Sequence, residues 1–375
     1  MKVCHLTSVH RPFDTRIFHK ECRTLADAGY DVTLVARHEA HEVVDGIHLH
    51  ALPTPSNRLA RMVGTVRAVH RAALKLDADL YHFHDPELIP VGLSLAGAGK
   101  PVVYDAHEHY GAQITEKPWL PGPFRKPAAA MTSFLERRAV PRFAAVIAAG
   151  RDIEEHLVPH ARRLVRVANY PILDEGLLVD PLSKPKRFTI ANFGGVWSAR
   201  VTGKVVEALG LIDEPDVHMI LGGRVVEPGL HDAIRAMPGW SKVDYKGMVD
   251  RPTLTADSVA SHAAMNMYSD SPNHYSIRSN RVYEAMAAGT PVIVSDFPEW
   301  REFVERHRCG LAVTPGDPEA IAGAIRTLAA DPVEAAAMGA RGRAAVKEHY
   351  NWDRCAESLL GLYAELIGSP SEESR

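Results

Sequence analysis

Twice along this chain, short β-rich runs alternate with amphipathic helical stretches. That repeated alternation constrains the fold more than any other feature, because it is how βα units wound into a parallel sheet are written in sequence. In the first half the pattern predicts strands at Lys2–Leu6, Asp31–Ala36, Leu80–His84, Val102–Asp105 and Ala145–Ala149, with helices at Phe18–Ala28, Arg58–Leu76 and Met131–Val140. Gly29 stands where a helix ends, since a residue tolerant of positive φ closes it at little cost. After a break at Asn169-Tyr170-Pro171 and a polar, proline-containing linker at Asp180–Lys186, the pattern restarts. Strands are then predicted at Phe188–Phe193, Val217–Leu221, Val243–Lys246, Ala264–Tyr268 and Val292–Ser295, and helices at Thr202–Leu211, Leu230–Ala236, Thr253–Ser261 and Asn280–Ala288. A chain of 375 residues is too long for one ordinary core and suits two. The reading is an α/β protein with parallel-sheet domains at residues 1–172 and 184–349, presenting their strand C-termini to a shared crevice where such folds bind ligands.

Composition narrows the function classes. Hydrophobic content of 46% with 24% charged residues is that of a soluble globular chain, and no stretch approaches the roughly 20 apolar residues of a membrane span. Met-Lys-Val-Cys-His-Leu runs straight into a strand pattern without signal-peptide features, so a cytoplasmic protein is expected. Cys4, Cys22, Cys309 and Cys355 show no Cys-x-x-Cys spacing and read as reduced thiols. A net charge of −3 supplies no global field to gather nucleic acid, so any anion site is local. The stretch Arg58–Lys75 combines Leu59, Met62, Val63, Val66 and Leu74 with Arg58, Arg61, Arg67, Arg71 and Lys75. It reads as a solvated basic helix face in preference to a membrane-surface helix. The tail Ser369–Arg375 reads as disordered.

The segment Ser279–Pro291, followed by Val292-Ile293-Val294, carries the most chemistry. Ser279 or Asn280 can cap a helix, Gly289 can end it, and Pro291 blocks its continuation. Helix N-termini offer unpaired N–H groups and a positive dipole end, which suits a diphosphate, and Arg281 can add a charge-assisted bond. Glu284, one turn deeper on the same face, can accept from ribose hydroxyls. An ordinary capped helix with a solvent-facing Glu fits this segment alone equally well. Context comes from Gly194-Gly195, which closes a predicted strand and leads through Trp197 to Arg200 and Lys204, spaced one helical turn apart and able to converge on one anion. Gly222-Gly223 closes another strand; either glycine pair alone is more often a turn than a ligand loop.

These residues resemble the retaining family four glycosyltransferases with the GT-B fold. The likeness runs along the chain in Leu25-Ala-Asp-Ala-Gly-Tyr-Asp-Val, Tyr104-Asp-Ala-His-Glu, Asn169-Tyr-Pro, Asn192-Phe-Gly-Gly and, most specifically, Tyr283-Glu-Ala-Met-Ala-Ala-Gly-Thr-Pro-Val-Ile. It implies two Rossmann-like domains facing across a cleft, the first binding the acceptor and the second the nucleotide-sugar donor. The C-terminal helix containing Trp352, about residues 350–368, would cross back onto the first domain. The resemblance implies that Glu284 binds the donor ribose, that Arg200 and Lys204 face the diphosphate, and that His107 reaches the transferred sugar. The implied reaction moves a hexose-type sugar, with UDP the commonest carrier, to a hydroxyl of a glycan, lipid-linked sugar or specialised metabolite. It proceeds with retention and without metal or cofactor: the leaving diphosphate takes the acceptor's proton, so no protein nucleophile is required.

The sequence also departs from the family. Ser276 stands eight positions before Glu284, where the family often has a second glutamate, and Gly195 replaces a frequent arginine. The usual glycine-rich loop after the first strand gives way to Ser8–Arg16, whose Asp14 and Arg16 either line the cleft or pair structurally. His84 and Glu108 complete the candidate cleft residues. Lys117–Lys126 is too proline-rich for a helix or central strand and reads as an acceptor-side loop or an ordinary surface connection. Three other classes compete. A dehydrogenase fails for want of Gly-x-Gly-x-x-Gly after the first strand. A metallohydrolase is suggested by His82-Phe-His84-Asp85, with Asp105, His107, Glu108 and His109 as further ligands, but no third cluster completes a set. A catalytically weak, nucleotide-binding partner subunit stays open because of Ser276.

Overall fold

The computed structural model describes residues 1–57, 60–115, 120–173, 176–178, 184–214, 216–271, 274–275 and 279–370. It divides into two compact units, Met1–Asn169 with Trp352–Arg375, and Tyr170–Asn351. The boundary falls at 169 because Tyr170 stacks edge-on against Tyr283 and Tyr350, at centroid distances of 4.8 and 5.5 Å, and so folds with the second unit.

The first unit holds one sheet of β1 (Lys2–Leu6), β2 (Asp31–Arg37), β3 (Glu42–Val44), β4 (Ile47–Leu52), β5 (Leu80–Phe83), β6 (Val102–Ala106), β7 (Ala145–Ala148) and β8 (Leu164–Arg166). Their order is β3-β4-β2-β1-β5-β6-β7-β8, parallel except for the β3–β4 hairpin. That hairpin turns at Asp45-Gly46, with φ of 51° and 75°, the two positive values that a type I′ turn requires. Helices cover the sheet, and the central strands β1, β5, β6 and β7 bury both faces, which is why they read as near-continuous apolar runs. The last helix, Trp352–Ile367, belongs to this unit: Trp352 Nε1 donates to Thr24 Oγ1 at 2.9 Å and Tyr363 is fully buried.

The second unit holds β9 (Phe188–Phe193), β10 (Val217–Gly222), β11 (Val243–Gly247), β12 (Ala263–Asn266), β13 (Val292–Ser295) and β14 (Gly310–Val313), all parallel, in the order β11-β10-β9-β12-β13-β14. The strand order reverses between β1 and β5 in one sheet and between β9 and β12 in the other. At such switch points loops leave the sheet in opposite directions and open room for ligands.

Three sequence expectations change. The predicted helix Phe18–Ala28 opens as a π-turn, Ile17–Cys22, before the α-helix Arg23–Asp27, and the wider turn rotates Lys20 and Glu21 into the interior. Part of the proline-rich segment, residues 116–119, lies outside the described residues, but Gly122–Ala139 is a helix and not a loop. Pro123 sits in its first turn, where an N–H has no partner to lose, and Pro127 follows one turn later. The elements β3, β4, β8 and β14 and the helices Ile89–Gly97, Arg151–Leu157, Pro298–His307, Pro318–Ala330 and Pro332–His349 were not predicted. Among the described residues no helix is long and apolar enough to cross a membrane.

Candidate functional site

In the second unit the carboxyl ends of β9 and β12 converge on Arg200. The chain leaves β9 through Gly194 and Gly195, makes the short turn Ser198–Arg200, and enters the helix Thr202–Gly210 through Val201 at φ +48°, a left-handed conformation strained for a β-branched residue. Ser269 N–H to Ala199 O at 2.8 Å ties this turn to the end of β12. Arg200 is 8% exposed. Its guanidinium donates to Tyr268 Oη at 3.1 Å, Asn266 Oδ1 at 2.9 Å and Phe193 O at 3.3 Å, and lies 4.9 Å from the Tyr268 ring centroid. None of these partners is a carboxylate. Burial lowers the pKa of Arg200, opposed by Tyr268 and reinforced by the positive charge of Arg281. A desolvated cation beside a second cation, with only neutral partners, is an arrangement that an anion completes.

The strain at Val201 also separates Arg200 from Lys204. They are not one turn apart on a common helix, because the left-handed residue stands between them. Lys204 lies on the exposed side and pairs with Glu207 at 2.9 Å. The expected convergence of the two cations on one anion is therefore not found, and Arg281 takes the second place.

Arg281 opens the helix Asn280–Ala287. Ser279 occupies the cap position, but its hydroxyl makes no cap hydrogen bond. Asn280 Oδ1 and Asn266 Nδ2 are buried without hydrogen-bond partners among the described residues. Glu284 is 2% exposed and is not a solvent-facing helix residue. It is gripped by Arg251 Nη1 at 2.5 Å and Arg281 Nη1 at 2.6 Å, one on each oxygen, which leaves each oxygen a lone pair for a further donor. A crevice beside these groups is lined by Phe193, Ser258, Asn266, Arg281 and Glu284. Ser276 lies outside the described residues.

The paired glycines serve one another more than a ligand. A Cβ on Gly223, at φ +154°, would stand 1.7 Å from Gly194 O; one on Gly222 would meet the Phe193 ring at 2.6 Å, and one on Gly194 would meet Arg200 Nη1 at 2.9 Å. Only Gly195 has open surroundings, with its nearest neighbour at 3.7 Å.

In the first unit Asp105, at the end of β6, organises a buried network. Arg16 donates to it twice, at 3.0 and 2.8 Å; His107 Nε2 lies 2.6 Å and His84 Nδ1 3.1 Å from Oδ2. Burial opposes its ionisation, but Arg16 and then His107 hold it well below the usual carboxylate range. His107 keeps partial exposure, and Glu108 is exposed. Arg16 and His84 are buried and line no open surface. Nor does Arg16 pair with the Asp14 carboxylate, which instead accepts the backbone N–H groups of Arg16 and Ile17 at 2.9 and 3.1 Å, the local turn that an aspartate two residues upstream favours. Below this network His5, Glu21, His82 and His84, all fully buried, place four possible ligand atoms within 4.8 Å of one another. The third imidazole that the His82-Phe-His84 motif lacked is supplied by His5 on β1. Burial pushes His84 down to about 4 and His5 and His82 well below their usual value, so all three rings are neutral near pH 7.

Several of these groups were invisible in sequence. Asn266 and Tyr268 fell inside a predicted strand, Arg251 lay before a helix expected to start at Thr253, and Glu21 sat within an amphipathic period, where a glutamate is normally solvated. The one available signal was the rule that residues at strand ends are candidates for chemistry, applied a residue or two earlier.

One unit thus brings strand ends, Arg200, Arg281 and an uncapped helix start together, and the other holds a polar cluster at its switch point. Residues 15–169 match the family described as Glycosyltransferase Family 4, and residues 182–361 match one described as glycosyl transferase-like. The chain belongs to the family four glycosyltransferases and has the GT-B fold. It is 26% identical to the phosphatidyl-myo-inositol mannosyltransferase of Mycobacterium leprae, over 94% of this chain and 90% of that protein. A 76-residue stretch, 20% of each chain, is 38% identical to a GDP-mannose-dependent alpha-(1-6)-phosphatidylinositol monomannoside mannosyltransferase of Mycobacterium tuberculosis. Anabaena Alr3699/HepE, solved in complex with UDP and glucose, superposes with a TM-score of 0.74 at 16% identity, covering 97% of this chain and all, 100%, of that one.

Proposed function

We propose that this glycosyltransferase moves a hexose-type sugar from a nucleoside diphosphate sugar, UDP-hexose in the first instance, to an acceptor hydroxyl with retention of anomeric configuration. The observation that carries the reading is Arg200, a buried guanidinium without an acid partner among the described residues, beside Arg281 at the start of a helix whose cap hydroxyl is unused. A diphosphate supplies the missing negative charge. As the bond from the sugar's anomeric carbon to the diphosphate oxygen breaks, charge accumulates on that oxygen, and fixed donors in a dry site stabilise it without reorganising. The acceptor oxygen bonds to the anomeric carbon on the face the diphosphate leaves, and its proton passes to the departing oxygen, so no protein nucleophile and no metal is needed. Glu284 accepts from the ribose hydroxyls with the lone pairs its two arginines leave, and the donor amides come from Gly195 and the start of the 280–287 helix. The acceptor is carried by the first unit; the phosphatidylinositol in the relatives' names makes lipid-linked polyols the first acceptors to try.

Melting curves with UDP, GDP and ADP and with their glucose and mannose conjugates test the reading, because a ligand bound only by the folded state raises its melting temperature. A UDP-sugar is expected to give the largest rise, and product NMR an unchanged anomeric configuration with EDTA present. A larger rise with GDP-mannose would replace the base, and no rise with any of them would remove the proposal. Binding without transfer or donor hydrolysis would favour the nucleotide-binding partner subunit.

A further inference from the structure

We propose that His5, Glu21, His82 and His84 form a buried structural site for one tetrahedral divalent metal ion, zinc by the nature of its ligands, inside the first unit. The sequence sets the geometry simply. His82 and His84 are alternate residues of one strand end and share a face of the sheet, while His5 on β1 is the register partner of His82. The π-turn that follows β1 delivers Glu21 to the same spot.

Two features point to a ligand and not merely to packed histidines. First, among the described residues neither oxygen of Glu21 nor His82 Nε2 has a hydrogen-bond partner, although all three atoms are fully buried. Arg16 Nε stands 3.0 Å from Glu21 Oε1, yet its N–H is directed to Asp105. Orphaned groups in a dry interior each cost about 1–3 kcal/mol, so three converging on one point call for an explanation. Second, the remaining ring nitrogens are already engaged as an outer shell. Tyr363 Oη lies 2.7 Å from His82 Nδ1 and 3.2 Å from His5 Nε2, and Asp105 Oδ2 lies 3.1 Å from His84 Nδ1. This leaves His82 Nε2 without a partner and His5 Nδ1 and His84 Nε2 hydrogen-bonded only to each other, a bond that an ion between them would replace, and metal-bound histidines are held by partners of this kind on the far nitrogen.

The spacing suits the ion. Ligands at the 2.0–2.1 Å of zinc–nitrogen bonds stand about 3.3 Å apart in a tetrahedron; His5 Nδ1 and His84 Nε2 are 3.0 Å apart, and His82 Nε2 and Glu21 Oε2 3.9 Å. Neutral imidazoles with one carboxylate are a ligand set for zinc more than for calcium or magnesium, which take oxygen ligands. With four protein ligands the site is closed, so its role is structural: it cross-links β1, β5 and the π-turn beneath His107 and leaves the transfer chemistry to the second unit. The neighbouring trio His84, Asp105 and His107 is a poorer candidate, because both oxygens of its carboxylate are already hydrogen-bonded.

The full-length protein, produced in medium supplemented with zinc or cobalt and dialysed against metal-free buffer, tests the site. Elemental analysis should find one equivalent of metal per chain, the cobalt form should show the intense visible absorption of tetrahedral coordination, and Glu21→Gln and His82→Gln should each lose the metal. A strong chelator should lower the melting temperature of the wild type and leave that of folded Glu21→Gln unchanged. Wild type without metal, weak octahedral cobalt absorption, or variants that keep a full equivalent would each overturn the proposal. Should neither variant fold, metal content and the cobalt spectrum of the wild type decide it.

Discussion

Arg16 and Arg200 are both buried arginines at the switch point of a parallel sheet, and their surroundings differ in one respect. Arg16 lies against two carboxylates, Asp105 and Glu21, which raise its pKa against the effect of burial. Arg200 has a phenol, an amide and a carbonyl, and its pKa is lowered. Arg16 thus has its counter-charge within the chain, whereas Arg200 has none among the described residues. A buried ion is thus a structural element or a binding element according to whether its counter-charge is covalently part of the protein.

The sharpest way to break this comparison is to delete each cation. Arg16→Met should cost about 3–5 kcal/mol in urea unfolding, since it strands the buried Asp105 carboxylate; a loss under about 1 kcal/mol would show that the network is not a structural keystone. Arg200→Met should change stability by less than about 1 kcal/mol, because it removes an uncompensated buried charge, while kcat/KM falls by about 10²–10³, as for loss of one charge-stabilising donor. Unchanged turnover would take Arg200 out of the mechanism. The glycines sharpen the contrast within the second unit. Gly223→Ala should cost about 1–3 kcal/mol from backbone strain against Gly194, whereas Gly195→Ala should be neutral or up to about 1 kcal/mol stabilising, both read from thermal unfolding.

Acid distinguishes the units more gently. Burial pushes His84 down to about 4 in the folded protein, from an ordinary value of 6.5, so between those pH values the unfolded chain binds more protons. Stability is then present above 6.5 and lost as the pH falls toward 4, at up to about 1.4 kcal/mol per pH unit for each such histidine. His5 and His82 act in the same direction. Hydrogen exchange followed from pH 7 to pH 4.5 should therefore show β1 and β5 losing protection; full protection of both strands at pH 4.5 would contradict the burial of these rings as neutral species.

Much of the architecture was legible without coordinates. The β1, β5, β6, β9 and β13 runs are buried on both faces, so apolarity alone marks them, and the helix from Asn280 announces itself through Gly289 and Pro291. The missed hairpin had a readable signal in Asp45-Gly46 between apolar residues. The missed helix start at Gly122 did not, because proline is tolerated in a first turn and costly deeper in a helix, and sequence does not say where the first turn is.

By itself, then, the sequence determined the two parallel sheets, the family, and the helix on which a diphosphate is expected to rest, because hydrophobic period, glycine and proline act locally. Tertiary structure alone decided which charges are answered. It placed Asp105 and Glu21 beside Arg16, drew Glu284 between Arg251 and Arg281, turned Val201 so that Lys204 points away from Arg200, and brought His5 to His82 and Glu21. Charge interactions depend on distance and desolvation, and both are set by residues tens to hundreds of positions apart, which no local pattern encodes.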